Sequence, residues 1–222
     1  MLQDQKQRII VLTGVVGLMA AILVGIGEFL LHFDPLARFA SGGFDFMLAA
    51  SEERQTAGHF LGVLAAPLYV VGCWHIYLML KPANQKLALV GFLASAYGFM
   101  IGGDWISSRA SIGALAHFRE SGGSVGGLVE LYHLRYESLL SVVRVTTAGL
   151  SFIFIYLTLT GRSHYEKWQA ILNPIVLLLM SFVIYAVAPG VGKYLMPIAL
   201  NVAFGIFFLM SIAQARKINK RL

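Results

Sequence analysis

Leu128–Thr160, LVELYHLRYESLLSVVRVTTAGLSFIFIYLTLT, decides the fold, because charge enters an apolar helical run here in a regular pattern. At 100° per residue, His133, Glu137 and Arg144 fall within about 40° of one another on a single stripe. A charged side chain at mid-bilayer costs roughly 2.5–3.5 kcal/mol on insertion scales, so such a stripe faces a bundle interior or a wet cavity rather than lipid. The stretch predicts a multi-span membrane protein with a polar site inside it.

Composition agrees. The 222 residues are 58% hydrophobic and 13% charged, with a mean hydropathy of +0.74, against a soluble norm of about 45–50% apolar and about 25% charged. A span takes about 20 apolar residues, so the length accommodates about six. The expectation is an all-α polytopic membrane helix bundle. It is one integral membrane domain over residues 1–222, with six transmembrane helices at about 9–31, 59–80, 87–105, 133–160, 168–188 and 194–213. Between the first two spans, the segment 33–58 contains Gly42-Gly43 and FDFMLAA, read as a short helix in the membrane interface. After the third, SSRASIGALAHFRE extends the helix outwards until the glycines of ESGGSVGG break it.

The basic residues set the orientation. Lys6, Arg8, Lys81, Lys86, Arg162, Lys167, Arg216, Lys217, Lys220 and Arg221 fall on one side of a six-span layout, which places that side and both termini in the cytoplasm. The same placement explains the net charge of +6 without a nucleic-acid partner, and the basic tail rests among lipid headgroups. The lone Cys73 excludes an intrachain disulfide and a multi-cysteine metal site.

Glu28 ends the first span, His59 begins the second, Asp104 ends the third, and His133 with Glu137 opens the fourth, so all five reach the outer boundary. Two chemistries suit the set. His133 and Glu137 at i, i+4 grip a divalent cation such as zinc, iron or manganese together with His59 and Asp104, with Glu28 as a further donor. Alternatively Glu28, Asp104, His133 and Glu137 exchange protons without a metal, while Arg144 or Arg109 stabilises developing negative charge. The blander alternative leaves the rim residues solvated and pairs Glu28 with Arg144 as an internal salt bridge. His75 points away from His59 and reads as a satisfied packing histidine, whereas Tyr97 shares the face of Asp104 and joins the cavity. Spans five and six serve as scaffold or as a homo-oligomer face.

The runs GEFLLHFDP, ERQTAGHFLG, PLYVVGCWHIYLMLKP and LALVGFL over the first three spans resemble an uncharacterised family of small prokaryotic multi-pass membrane proteins, a domain of unknown function. The resemblance implies a bacterial or archaeal plasma membrane and supplies no reaction. The expected function is an integral membrane enzyme of hydrolase or isomerase type. It acts on a lipid or isoprenoid-like substrate drawn from the surrounding membrane lipid through the outer-leaflet acid/histidine site. The alternative is a proton- or cation-coupled transporter, or a small-ligand-binding membrane protein, using the same cluster.

Overall fold

Burying an apolar helix face in lipid leaves only polar groups and close backbone crossings to fix how helices meet, and both are visible here. The computed structural model describes residues 2–39 and 44–218; Gly42-Gly43, Lys220 and Arg221 lie outside them. All regular structure among the described residues is helical: α1 (Leu2–His32), α2 (Glu52–Ala65), α3 (Leu68–Leu80), α4 (Gln85–Glu120), α5 (Leu128–Leu159), α6 (Pro174–Val187), α7 (Pro189–Leu195) and α8 (Ala199–Ala215). Short 3-10 segments occupy Asp45–Ala49, Lys167–Leu172 and Met196–Ile198.

Five helical stretches are long and apolar enough to cross a membrane: Asp4–His32, Glu52–Leu80, Gln85–Glu120, Leu128–Leu159 and Pro189–Ala215. The expected second span thus starts earlier, at the Ser51 cap, whose hydroxyl accepts from the Arg54 N–H. It is interrupted at Ala66-Pro67, where proline supplies no N–H to the helix. The expected span 168–188 is the departure. Asn173 caps a new helix, its side chain accepting from the Val176 N–H, with Pro174 at the first position. The result is a 14-residue helix, about 21 Å long against a hydrocarbon core of about 30 Å. Conversely α4 and α5, 36 and 32 residues, reach about 54 and about 48 Å, longer than that core is thick, and α4 continues through the polar extension of the expected third span.

Gln7 Nε2 donates to the Ala215 and Arg216 carbonyls at 3.0 and 3.1 Å, which sets the start of α1 beside the end of α8. The His164 N–H donates to the Met79 carbonyl, bringing the α5–α6 link to that same end. There a buried chain of hydrogen bonds ties three helices. His75 Nδ1 lies 2.7 Å from the Ile10 carbonyl and so carries the proton. Its Nε2 accepts from Ser211 at 2.6 Å, and Ser211 meets Tyr165 at 2.6 Å. His75 is the satisfied packing histidine that its position suggests.

At the other end, Arg54 caps α1 by donating to the Phe29 and Phe33 carbonyls at 3.0 and 2.8 Å, groups that the helix itself leaves unsatisfied. Within the expected short helix, Asp45–Ala49 form a 3-10 turn. Phe44 and Met47 turn inwards onto Ile112 and Ala116, and Arg119 pairs with Asp45. Gln55 donates to the Met47 and Ala50 carbonyls.

Where α1 crosses α2, a Cβ on Gly27 would stand 2.7 Å from the Gly62 N and 2.9 Å from the Gly58 carbonyl oxygen. Backbone cannot step aside as a side chain can, so Gly27→Val is expected to destabilise the bundle by about 1–3 kcal/mol, read as a lowered unfolding midpoint in detergent. Beyond α1, Asp34 accepts from the Leu36 and Arg38 N–H groups and from Arg38 Nε at 2.7 Å. Burial pushes its carboxyl up, but Arg38 and the two backbone donors outweigh this and hold it below its ordinary range. A depressed carboxylate contributes stability in full above its unfolded pKa and loses it as pH falls through the folded one. Asp34→Asn is therefore expected to cost about 1–3 kcal/mol at neutral pH. The gap to wild type should close as pH falls below the ordinary carboxylate value of 3.8, as followed by thermal unfolding across that window.

Candidate functional site

The polar groups that meet do so inside a cavity of about 350 Å³, within the range of about 300–1,000 Å³ typical of small-molecule sites. Its walls come from α1, α3, α4, α5, α6, the Met196–Ile198 segment and α8 and are mostly apolar, with Val24, Phe99, Leu140, Leu178 and Leu200 among them. One end is polar. Asn201 Nδ2 donates to Glu28 Oε2 at 2.6 Å, and Tyr69 donates its hydroxyl to Asn201 Oδ1 at 2.7 Å. This chain reads the amide in a single orientation, with its N–H groups towards the carboxyl and its carbonyl towards the phenol. Tyr69 is held flat against Phe99, ring centroids 3.9 Å apart. A second, apolar groove of about 470 Å³ runs between α1 and α8, lined by Leu18, Gly25, Phe29, Gly205 and Leu209. Asn201 lines both spaces.

Behind the cavity wall lies Arg109, 1% exposed. Its Nε donates to His32 Nε2 at 2.7 Å, so Nε2 is the bare nitrogen of that ring and Nδ1 carries its proton. Four rings surround the guanidinium: Tyr136 at 4.4 Å, Trp105 at 5.1 Å, Phe46 at 5.5 Å and Phe44 at 5.7 Å from its carbon. Trp105 and Tyr136 also line the cavity.

The expected site residues separate into two groups. Glu28 and Arg144 line the cavity. Arg144 does not pair with Glu28, however; it donates to Glu137 Oε2 at 2.9 Å, with the two side chains 56% and 38% exposed. The stripe on α5 is therefore real, but its charges satisfy each other across two turns. His133 is exposed beside Phe44 and Tyr136, and Asp104 is exposed. His59 is half-buried against Phe60, its Nδ1 unpartnered. Among the described residues no three histidine, cysteine or acidic side chains gather closely enough to hold a metal ion, so the donor set His59, Asp104, His133 and Glu137 is not assembled. Tyr97 is 54% exposed and lies outside the cavity lining.

Sequence reading passed over His32, Tyr69 and Asn201 and gave Arg109 only as an alternative to Arg144. The signals existed: His32 follows Glu28 at i+4 on one face of α1, and Asn201 is a lone amide in an otherwise apolar run.

Fold and site together define an all-helical bundle with five helices apolar and long enough to cross a membrane, enclosing a buried polar cluster. The chain belongs to DUF6796, a family of unknown function whose model matches residues 3–217. No curated protein and no solved structure matches it.

With both side chains of the Glu137–Arg144 pair over one-third exposed, screening leaves little net energy. A double-mutant cycle of Glu137→Gln and Arg144→Gln is expected to show coupling of about 0.2–1 kcal/mol in stability. Combining Glu28→Gln with Arg144→Gln should be additive within about 0.5 kcal/mol.

Proposed function

We propose that this chain is an integral membrane protein that takes an amphiphilic small molecule, lipid or isoprenoid-like, out of the bilayer into the cavity between α1, α4, α5, α6 and α8. The observation that carries the reading is the cavity's asymmetry: apolar walls, with Glu28, Asn201 and Tyr69 gathered at one place. An apolar tail gains from the walls, while a polar head finds the few oriented groups that fix its direction. The α6 pass completes a six-span topology with both termini cytoplasmic, in a prokaryotic plasma membrane, consistent with the basic residues on that side.

Glu28 supports a second step on the same molecule. A carboxyl that lines the cavity and is oriented by Asn201 is placed to transfer a proton to or from a bound ligand, the core of a hydrolase or isomerase reaction.

Mass spectrometry of species carried through purification in mild detergent tests the first step. Wild type is expected to retain an amphiphile, and Leu140→Trp, which fills the cavity, should reduce it about tenfold or more. Leu209→Trp in the outer groove should leave it in place. A wild-type protein that carries nothing, or equal loss in both variants, would overturn the reading. Incubating the recovered molecule with wild type and with Glu28→Gln then separates holding from conversion.

A further inference from the structure

We infer that the ligand enters sideways between α5 and α6, and that Arg144 at this mouth receives a carboxylate or phosphate on the entering molecule; this rests on the amphiphile reading above. Among the described residues lining the cavity, Arg144 and Phe182 alone are exposed, the others being buried or half-buried. They stand on neighbouring helices. The Ile175 N–H donates to Ser151 Oγ at 3.3 Å, which joins the start of α6 to α5. Arg144 lies seven residues from Ser151, and Phe182 seven from Ile175, about 10 Å along each helix. Between that joint and this level, Val143 and Thr147 of α5 and Leu178 of α6 line the cavity. The two helices therefore part around it, and Arg144 and Phe182 form its lips. The flanking surface is apolar: Val145 and Phe152 on α5, and Leu179 and Val187 on α6, are all exposed. Helix faces of that kind belong in lipid, so the mouth opens into the bilayer.

One lip is apolar and the other is a cation. A guanidinium has five N–H donors, and Arg144 Nη1 gives one to Glu137 Oε2 at 2.9 Å. No other hydrogen bond of Arg144 is found among the described residues, and Glu137 lies outside the cavity lining. An ion pair this exposed holds weakly, so the guanidinium can take a second oxyanion or exchange one for the other. Its planar fork matches carboxylate or phosphate oxygens in pairs. Arg144 is the one basic side chain of the lining and Glu28 the one acidic side chain. Glu28 is buried, and its Oε2 already accepts from Asn201. Like charges repel, so an anion settles at the Arg144 lip and leaves Glu28 facing an uncharged part of the same molecule. Leu140 and Val143 flank Arg144 on the cavity wall, which gives the chain apolar contact directly beside the charge.

The test uses time-resolved native mass spectrometry of the full chain in mild detergent with four probes of one chain length: dodecanoate, dodecyl phosphate, dodecanol and dodecyltrimethylammonium. Acetate and inorganic phosphate are added alone. Wild type is expected to bind the two anionic chains about three- to tenfold more tightly than the alcohol. Arg144→Gln should abolish that preference and leave dodecanol binding unchanged, whereas Glu137→Gln, which frees the guanidinium, should raise it. A bridge that merely holds the fold would respond alike to loss of either partner, and like responses would overturn the assignment of Arg144. Phe182→Trp narrows the mouth and should slow uptake of every chain about threefold or more. Val187→Trp, on the exposed face of the same helix and outside the lining, should not. Uptake unchanged in Phe182→Trp would overturn the α5–α6 entry. Acetate or inorganic phosphate binding as tightly as the chains would overturn the inference, since the site would then serve a small free anion. Preference for the ammonium would do the same. Equal binding of all four chains, unaffected by Arg144→Gln but lost in Leu140→Trp, would overturn the anion and leave the cavity reading standing. If no chain binds at all, the amphiphile reading falls with it.

Discussion

Away from water, a buried polar group must find its partner within the protein, and most of this architecture follows from how that demand is met. The Glu28–Asn201–Tyr69 chain joins α1, α8 and α3. The His75–Ser211–Tyr165 chain joins α1, α3, α8 and the α5–α6 link at the opposite end. Arg54 and Gln55 satisfy carbonyls that helix ends and the 44–50 segment leave open. Against this background, buried side-chain atoms without a partner are few among the described residues: those of His59, Trp105, Arg109 and Thr158.

Polar links fix register only because the backbones come close enough to be linked. α1 is the hub: its glycines meet Gly58 and Gly62 of α2 and Gly72 of α3 at distances that leave no room for a Cβ. α4 and α5 approach in the same way, with Thr146 against Gly98. Where no such crossing exists, between the cavity-lining faces of α5 and α6, there is space. Packing and cavity are thus two outcomes of one distribution of small residues.

The bundle was legible because hydropathy is a property of whole segments. Long apolar runs, the glycine break after Glu120 and the break at Lys81-Pro82 all leave marks in composition. The α6 segment was legible as apolar but not as short, since Asn173-Pro174 within an apolar run signals a new helix start only once the preceding residues are seen to turn in a tighter helix. The site was read in part. Periodicity placed His133, Glu137 and Arg144 on one stripe, yet it says nothing about which neighbour each side chain chooses, and Arg144 takes the nearer carboxylate on its own helix. Proximity to a common membrane boundary was not enough to bring His59, Asp104 and His133 together, because depth fixes one coordinate and rotation about each helix fixes the other. Arg109 was hidden by its setting in the polar extension SSRASIGALAHFRE. There an arginine reads as solvated, and only the inward fold of Phe44 and Phe46 encloses it.

Asn201 is the residue common to the cavity and the groove between α1 and α8. A single amide therefore serves as a partition as well as a strut: the hydrogen bonds that orient Glu28 also close the thin place in the wall. Turning the Asn201 amide towards the groove would break its hydrogen bond to Glu28.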